Sequence, residues 1–184
     1  MQHLFQESNT LRVLAFFLEN PFSEAYLREL SRKLKMSAST VLRCLEKLEK
    51  AGLVSRRDEK NASFFKANLT QEFKAVKIAF SVSKIAKSGV LETIADKSRG
   101  LSCFLLFGSA SKGEDALASD FDFVLIASES SVSAGELREK LGRDVNLKKY
   151  SIGEWKTVSR KNRAFYLDVM ANSFALLGSK PVMD

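Results

Sequence analysis

Between Ser8 and Asn20 the apolar residues Leu11, Leu14, Ala15 and Leu18 recur at three- and four-residue intervals, the period of a helix with one buried face. The pair Asn20-Pro21 stops it, because a residue before proline avoids the α region. A second stripe, Tyr26, Leu27, Leu30 and Leu34, predicts a helix capped at Ser23. A third, Val41, Leu42, Leu45 and Leu48, predicts a helix capped at Ser37 and closed by Gly52. Leu53–Arg57 and Ser63–Asn68 have strand length and flank the polar Asp58-Glu59-Lys60-Asn61, which predicts a hairpin. Gln71–Ala86 is helical on two stripes, with Phe73, Val76 and Phe80 on one and Ile78, Val82 and Ile85 on the other. It is expected to make contact on two sides, either between domains or across a dimer. A short helix from Val90 to about Ser98 follows, ended by Gly100.

After Gly100 the pattern changes. Leu101–Phe107 is a run of seven apolar residues, a strand buried on both faces, and it stops at Gly108-Ser109. A second apolar strand, FVLIA, is headed by Asp120 and Asp122, which lie two residues apart and therefore share a face. Ser133 opens a helix with the capping-box pattern Ser133-x-x-Glu136. In the strand Asp144–Tyr150, Val145 and Leu147 point inward and leave Asp144, Asn146 and Lys148 on the other face. Ser151-x-x-Glu154 caps another helix, under which Trp155 either packs or serves to stack a base. A last helix spans Arg163–Asn172, with Phe174–Leu177 as an edge segment; Arg160, Lys161 and Arg163 form a basic cluster, solvated or polynucleotide-facing.

Composition adds the partner class. The 184 residues suit two small domains, and the 14 Phe can furnish their cores. Lys and Arg number 29 against 22 Asp and Glu, a net charge of +7 that favours nucleic acid or nucleotide phosphate. No apolar run approaches the ~20 residues that a membrane span needs, and the start lacks a signal-peptide pattern, so a cytoplasmic protein without a membrane partner is expected. Cys44 and Cys103 stand far apart and His3 is the only histidine, which excludes a His/Cys zinc site.

The stretch LRELSRKLKMSASTVLRCLEKLEKAGLVSRR runs helix, small-residue turn, helix, then the AGLV step into a hairpin. In this it resembles the winged helix-turn-helix regulators of bacteria and archaea. A recognition helix needs an apolar inner face and an outer face of short polar and basic side chains. Here Thr40, Arg43, Lys47 and Lys50 fall at i, i+3, i+7 and i+10, Ser37 and Ser39 stand at the start, and Arg56, Arg57 and Lys60 decorate the wing. These are the expected contacts to duplex DNA; the plainer alternative is a solvated face with Glu46 and Glu49 as ordinary partners.

Residues 108–125, GSASKGEDALASDFDFVL, carry the remaining chemistry. Two adjacent carboxylates repel, and a divalent cation, Mg²⁺ above all, is the simplest reason to pair them. Gly108 lets a phosphate approach the backbone, Ser109 adds a hydroxyl, and Lys112 adds positive charge. Gly108, Ser109, Gly113, Ser119, Asp120 and Asp122 are similar to the signature of the polymerase β-type nucleotidyltransferase superfamily in its minimal branch. The resemblance implies that Gly108 and Ser109 hold a nucleoside triphosphate, ATP by preference, and that Asp120 and Asp122 ligate Mg²⁺ or Mn²⁺. Active relatives carry a third carboxylate on a later strand, where this chain has Asn146; Asp144 on the same face is the candidate substitute. The expected fold is therefore α+β, a winged helix domain over 1–70, a linker helix over 71–89 and a mixed α/β nucleotidyltransferase-like domain over 90–184. The expected function is nucleotidyl transfer to a hydroxyl acceptor by a DNA-bound homodimer. The alternatives are a regulator that senses a nucleotide without turnover and an antitoxin-type partner of a toxin protein.

Overall fold

The computed structural model describes residues 8–59 and 62–183. The chain divides into two compact units, Met1–Phe80 and Ser81–Asp184.

In the first unit, α1 (Asn9–Glu19) is capped by Ser8, whose hydroxyl accepts the Leu11 amide, and it buries Val13, Leu14, Phe17 and Leu18. Glu24–Tyr26 then forms a strand, β1, and not the predicted helix start at Ser23. Its partner is distant in sequence: Ala25 lies opposite Phe65, Glu24 pairs with Arg57 at 2.9 Å, and the Tyr26 ring meets Phe64. α2 (Leu27–Leu34) ends at Lys35 in the left-handed region, φ 52°. α3 (Ala38–Lys50) starts at the predicted cap, Ser37, and buries Val41, Cys44, Leu45 and Leu48. The antiparallel hairpin β2 (Val54–Glu59) and β3 (Ala62–Ala67) completes a sheet of order β1-β3-β2.

The expected linker helix is α4 (Gln71–Lys87), and it is structural in both units, with the boundary inside it. Phe73, Val76 and Phe80 join the first core, while Val82 and Ile85 join the second. Lys77, 1% exposed, donates to the carbonyl of Leu18, one of the orphan acceptors at the end of α1.

The second unit runs α5 (Val90–Lys97), β4 (Ser98–Phe107), α6 (Gly108–Lys112), β5 (Phe121–Ser130), α7 (Ala134–Leu141), β6 (Val145–Tyr150), α8 (Ile152–Lys161), α9 (Arg163–Asn172) and β7 (Phe174–Gly178). Its sheet has the order β6-β5-β4-β7; only β5 and β6 are parallel, joined by the α7 crossover. Alternation along the strands splits the core in two. Phe104, Leu106, Phe123 and Leu125 pack with Ile94 and Leu137 on one face; Cys103, Leu105, Val124 and Ile126 pack with Trp155, Tyr166 and Val169 on the other.

Three local expectations change. Gly100 lies inside β4 and does not end a helix: at φ 56° it passes Ser128 so closely that a Cβ would stand 2.3 Å from its hydroxyl. Ser133 accepts the Glu136 amide, but the Glu136 carboxylate reaches Lys97 at 2.6 Å, so only half of that capping box forms. The box at Ser151 and Glu154 is complete. Trp155 is fully buried against Tyr150, Phe165 and Tyr166, which removes it as a base-stacking surface.

Candidate functional site

Two surfaces carry the residues that sequence reasoning singled out. On the first unit, burial of Val41, Cys44, Leu45 and Leu48 turns Arg43, Lys47 and Lys50 outward. Ser37 is engaged as the cap: its hydroxyl accepts the Thr40 amide at 3.2 Å and meets the Ser39 and Thr40 hydroxyls at 3.1 and 2.8 Å. The wing arginines are held by acids. Arg56 donates to Asp58 and Ser63, and Arg57 is bound by both Glu24 and Glu59. The Arg57 guanidinium holds the Glu24 carboxyl below its ordinary range, and those two carboxylates push the Arg57 pKa up in turn. Lys60 lies outside the described residues. Sequence reasoning passed over a basic hollow at α2 lined by Tyr26, Arg28, Ser31 and Arg32, where Arg32 donates to the Tyr26 hydroxyl at 2.9 Å. Its signal was the exposed Arg28 and Arg32 pair, four residues apart on one helix face.

On the second unit the sheet assembles the other site. Asp122 on β5 stands opposite Phe107 at the end of β4 and opposite Asn146 on β6. The chain turns at Gly108 with φ 72°, against Asp122: a Cβ there would lie 2.3 Å from the Asp122 Oδ2. Asn146 bridges the two carboxylates, its Nδ2 donating to Asp120 Oδ2 at 3.2 Å and to Asp122 Oδ1 at 3.1 Å. Among the described residues no three His, Cys, Asp or Glu side chains gather as a metal-binding group, so the third polar group here is an amide. The two carboxylates are hard oxygen donors, the kind of group that could hold Mg²⁺ or Mn²⁺.

Two neighbours do not join the pair. The Asp144 carboxylate is bound to Arg138 of α7 at 3.0 Å, in a hollow lined by Gly135, Glu139 and Gly142, and its carbonyl accepts the Phe121 amide. Lys112 donates to Asp168 of α9 at 3.1 Å, and Asn172 and Lys112 together hold the Asp168 carboxyl below its ordinary range. Lys148, two residues beyond Asn146 on the same face, is exposed with its ammonium 5.7 Å from the Phe165 ring centroid.

At this second site, Arg143 is the residue that sequence reasoning missed. Its side chain is 13% exposed and staples the segment before the carboxylates, donating to Asp115 at 2.9 Å, to the Ala116 carbonyl at 2.6 Å and to the Ser119 carbonyl. Its guanidinium lies 4.2 Å from the Phe121 ring centroid. Five donors in a fixed fork suit this task, which a lysine could not perform. Nothing local in the sequence marks it, since its partners lie more than twenty residues earlier.

In the first unit, three helices followed by a hairpin wing, with an outward basic face on α3, define a winged-helix DNA-binding domain. Residues 8–56 match the model of the bacterial regulatory proteins of the arsR family, which marks that segment as a winged-helix DNA-binding domain of the arsR type. No curated protein matches the chain. The solved structures that resemble parts of it include these three. Reduced HlyU from Vibrio cholerae N16961 is 30% identical over 39% of this chain and 70% of that one, with a TM-score of 0.33. A toxin-antitoxin crystallised with AMP-PNP is 21% identical over 51% and 75%, with a TM-score of 0.40. A possible transcriptional regulator from Methanosarcina mazei Go1 is 21% identical over 46% and 76%, with a TM-score of 0.35. No helix among the described residues is long and apolar enough to cross a membrane.

Proposed function

We propose that the protein is a DNA-binding regulator whose second unit binds a nucleoside triphosphate together with one divalent cation and responds to it without efficient turnover. The observation that carries this reading is the place of Asn146. It faces both carboxylates of the Gly-Ser and Asp-x-Asp pattern, where nucleotidyl transfer needs a third acid. An amide cannot take a proton from an acceptor hydroxyl. The alternative acid, Asp144, sits in an exposed ion pair with Arg138 and does not gather with the two carboxylates.

Each residue has a definable part. Asp120 and Asp122 hold the cation, which screens the phosphate charge when bound. Gly108, lacking a Cβ, leaves the backbone open beside Asp122 for a phosphate. Ser109 offers a hydroxyl that has no hydrogen bond within the described residues. Lys148 supplies the positive charge first expected of Lys112, which Asp168 occupies. On the first unit, Arg43 and Lys47 meet DNA phosphates or base edges, and Arg28 and Arg32 add backbone contacts.

Calorimetry and DNA-binding titrations on the full chain test this. ATP should bind only when Mg²⁺ is present, Asp120→Ala with Asp122→Ala should abolish that binding, and ATP should shift DNA affinity with no pyrophosphate released. Steady pyrophosphate release from ATP would restore the transfer reading. Equal ATP affinity in the double variant would move the site elsewhere.

A further inference from the structure

We infer that Asn146 is a two-position ligand, so that entry of the cation is coupled to rotation of its amide and the carboxylate pair holds one divalent ion and not two. The inference rests on reading Asp120 and Asp122 as a cation site.

In the structure the Nδ2 of Asn146, which carries two N–H donors, donates to both Asp120 and Asp122. The positive end of the amide dipole thus fills the space between the carboxylates, and it relieves their repulsion without adding net charge. Mg²⁺ seated on the same oxygens, at the ~2.0 to 2.1 Å that it demands, would face those hydrogens and be repelled by them. An ion that takes these two oxygens therefore has to displace the amide from them.

A half-turn about χ2 exchanges Nδ2 for Oδ1, and this terminal torsion is soft and two-fold. The strand register that sets Asn146 opposite Asp122 need not change. After the turn the side chain presents a hard oxygen, and the repelling group has become a third, neutral ligand. The charge count follows directly. Two carboxylates match one divalent ion, and a second ion finds no acid of its own, because no third acid gathers with the pair among the described residues.

The test uses the full chain. Manganese electron paramagnetic resonance in the presence of a non-hydrolysable ATP analogue counts ions, and nitrogen-15 spectra follow the Asn146 side-chain NH2, assigned by its loss in Asn146→Asp. One Mn²⁺ per chain is expected in the wild type and two in Asn146→Asp. The Asn146 NH2 resonances should shift with Mg²⁺ in step with ion occupancy. Asn146→Ala should weaken Mn²⁺ binding by about tenfold or more, as loss of a tuned ligand does. A rise in affinity for Asn146→Ala would overturn the proposal, since the amide would then only compete with the ion. So would two ions in the wild type, or an unmoved NH2 signal while Asp120→Ala with Asp122→Ala removes ion binding. If no ion binds the wild type, or binding survives that double variant, the cation site itself fails and the inference falls with it.

Discussion

Gly108 and Arg143 are the single residues on which the second site depends most. Gly108 combines φ 72° with a missing Cβ that would otherwise stand 2.3 Å from the Asp122 carboxylate. Gly108→Ala should therefore displace Asp122 and cost about 1 to 3 kcal/mol of stability through backbone strain. Denaturant unfolding should show the cost, and calorimetry should show ATP affinity lost with it. Arg143→Met leaves Asp115, 2% exposed, without its 2.9 Å ion pair. Breaking one side of a buried pair costs about 3 to 5 kcal/mol, and the loss should appear as a lowered unfolding midpoint together with faster amide exchange in residues 114–119.

At the scale of elements, the recognition helix and the wing are expected to contribute unequally. Arg43 and Lys47 project from α3, whereas Arg57 is neutralised by Glu24 and Glu59 within the sheet. Each of Arg43→Ala and Lys47→Ala should lower the slope of log affinity against log salt by about 0.9 if it removes one phosphate contact. Arg57→Ala should change the slope less, as fluorescence anisotropy on duplex DNA can measure. The Arg57 tie also has a pH sign. Because the folded pKa of Glu24 lies below its ordinary 4.5, the tie is fully present above that value and is lost only as pH falls through the lower folded value. The small effect of Arg57→Ala should therefore persist across neutral pH.

Elements were legible where their pattern is local. Helices α1, α3, α4, α7, α8 and α9 follow from apolar spacing and caps, with Ser37 and Ser151 placed where their hydroxyls cap. The strand β1 was not, because three residues carry no period and its evidence is Phe65, forty residues on. Gly100 was misjudged for a related reason: a glycine stops a helix or relieves a strand crossing, and only Ser128 decides between them. In the candidate site, Asp120 and Asp122 were visible as a same-face pair. The partners that commit Lys112 and Asp144 elsewhere, Asp168 and Arg138, come from helices whose packing no local pattern reveals.

At the scale of the molecule, charge is divided unevenly. The first unit carries 14 Lys and Arg against 9 Asp and Glu, the second 15 against 13, so most of the net positive charge lies with the DNA-binding unit. The core of that unit also extends past the wing, through Phe73, the buried Lys77 and Phe80. A fragment ending at Phe80 is expected to unfold cooperatively and bind duplex DNA, while one ending at Asn68 should expose the first core and aggregate. Circular dichroism and light scattering on the two fragments distinguish them.

The burial of Trp155 has a practical consequence for all of these experiments. It is the only tryptophan in the chain, and it lies in the interior of the second unit between Tyr150 and Tyr166. Intrinsic indole fluorescence of the intact protein is thus an optical reporter of one unit alone, silent on the winged helix. Paired with circular dichroism, which sees both units, it separates their melting transitions without any label. Saturation with ATP and Mg²⁺ at a hundred times Kd should stabilise the binding unit by about 2.7 kcal/mol. That gain should move the fluorescence transition.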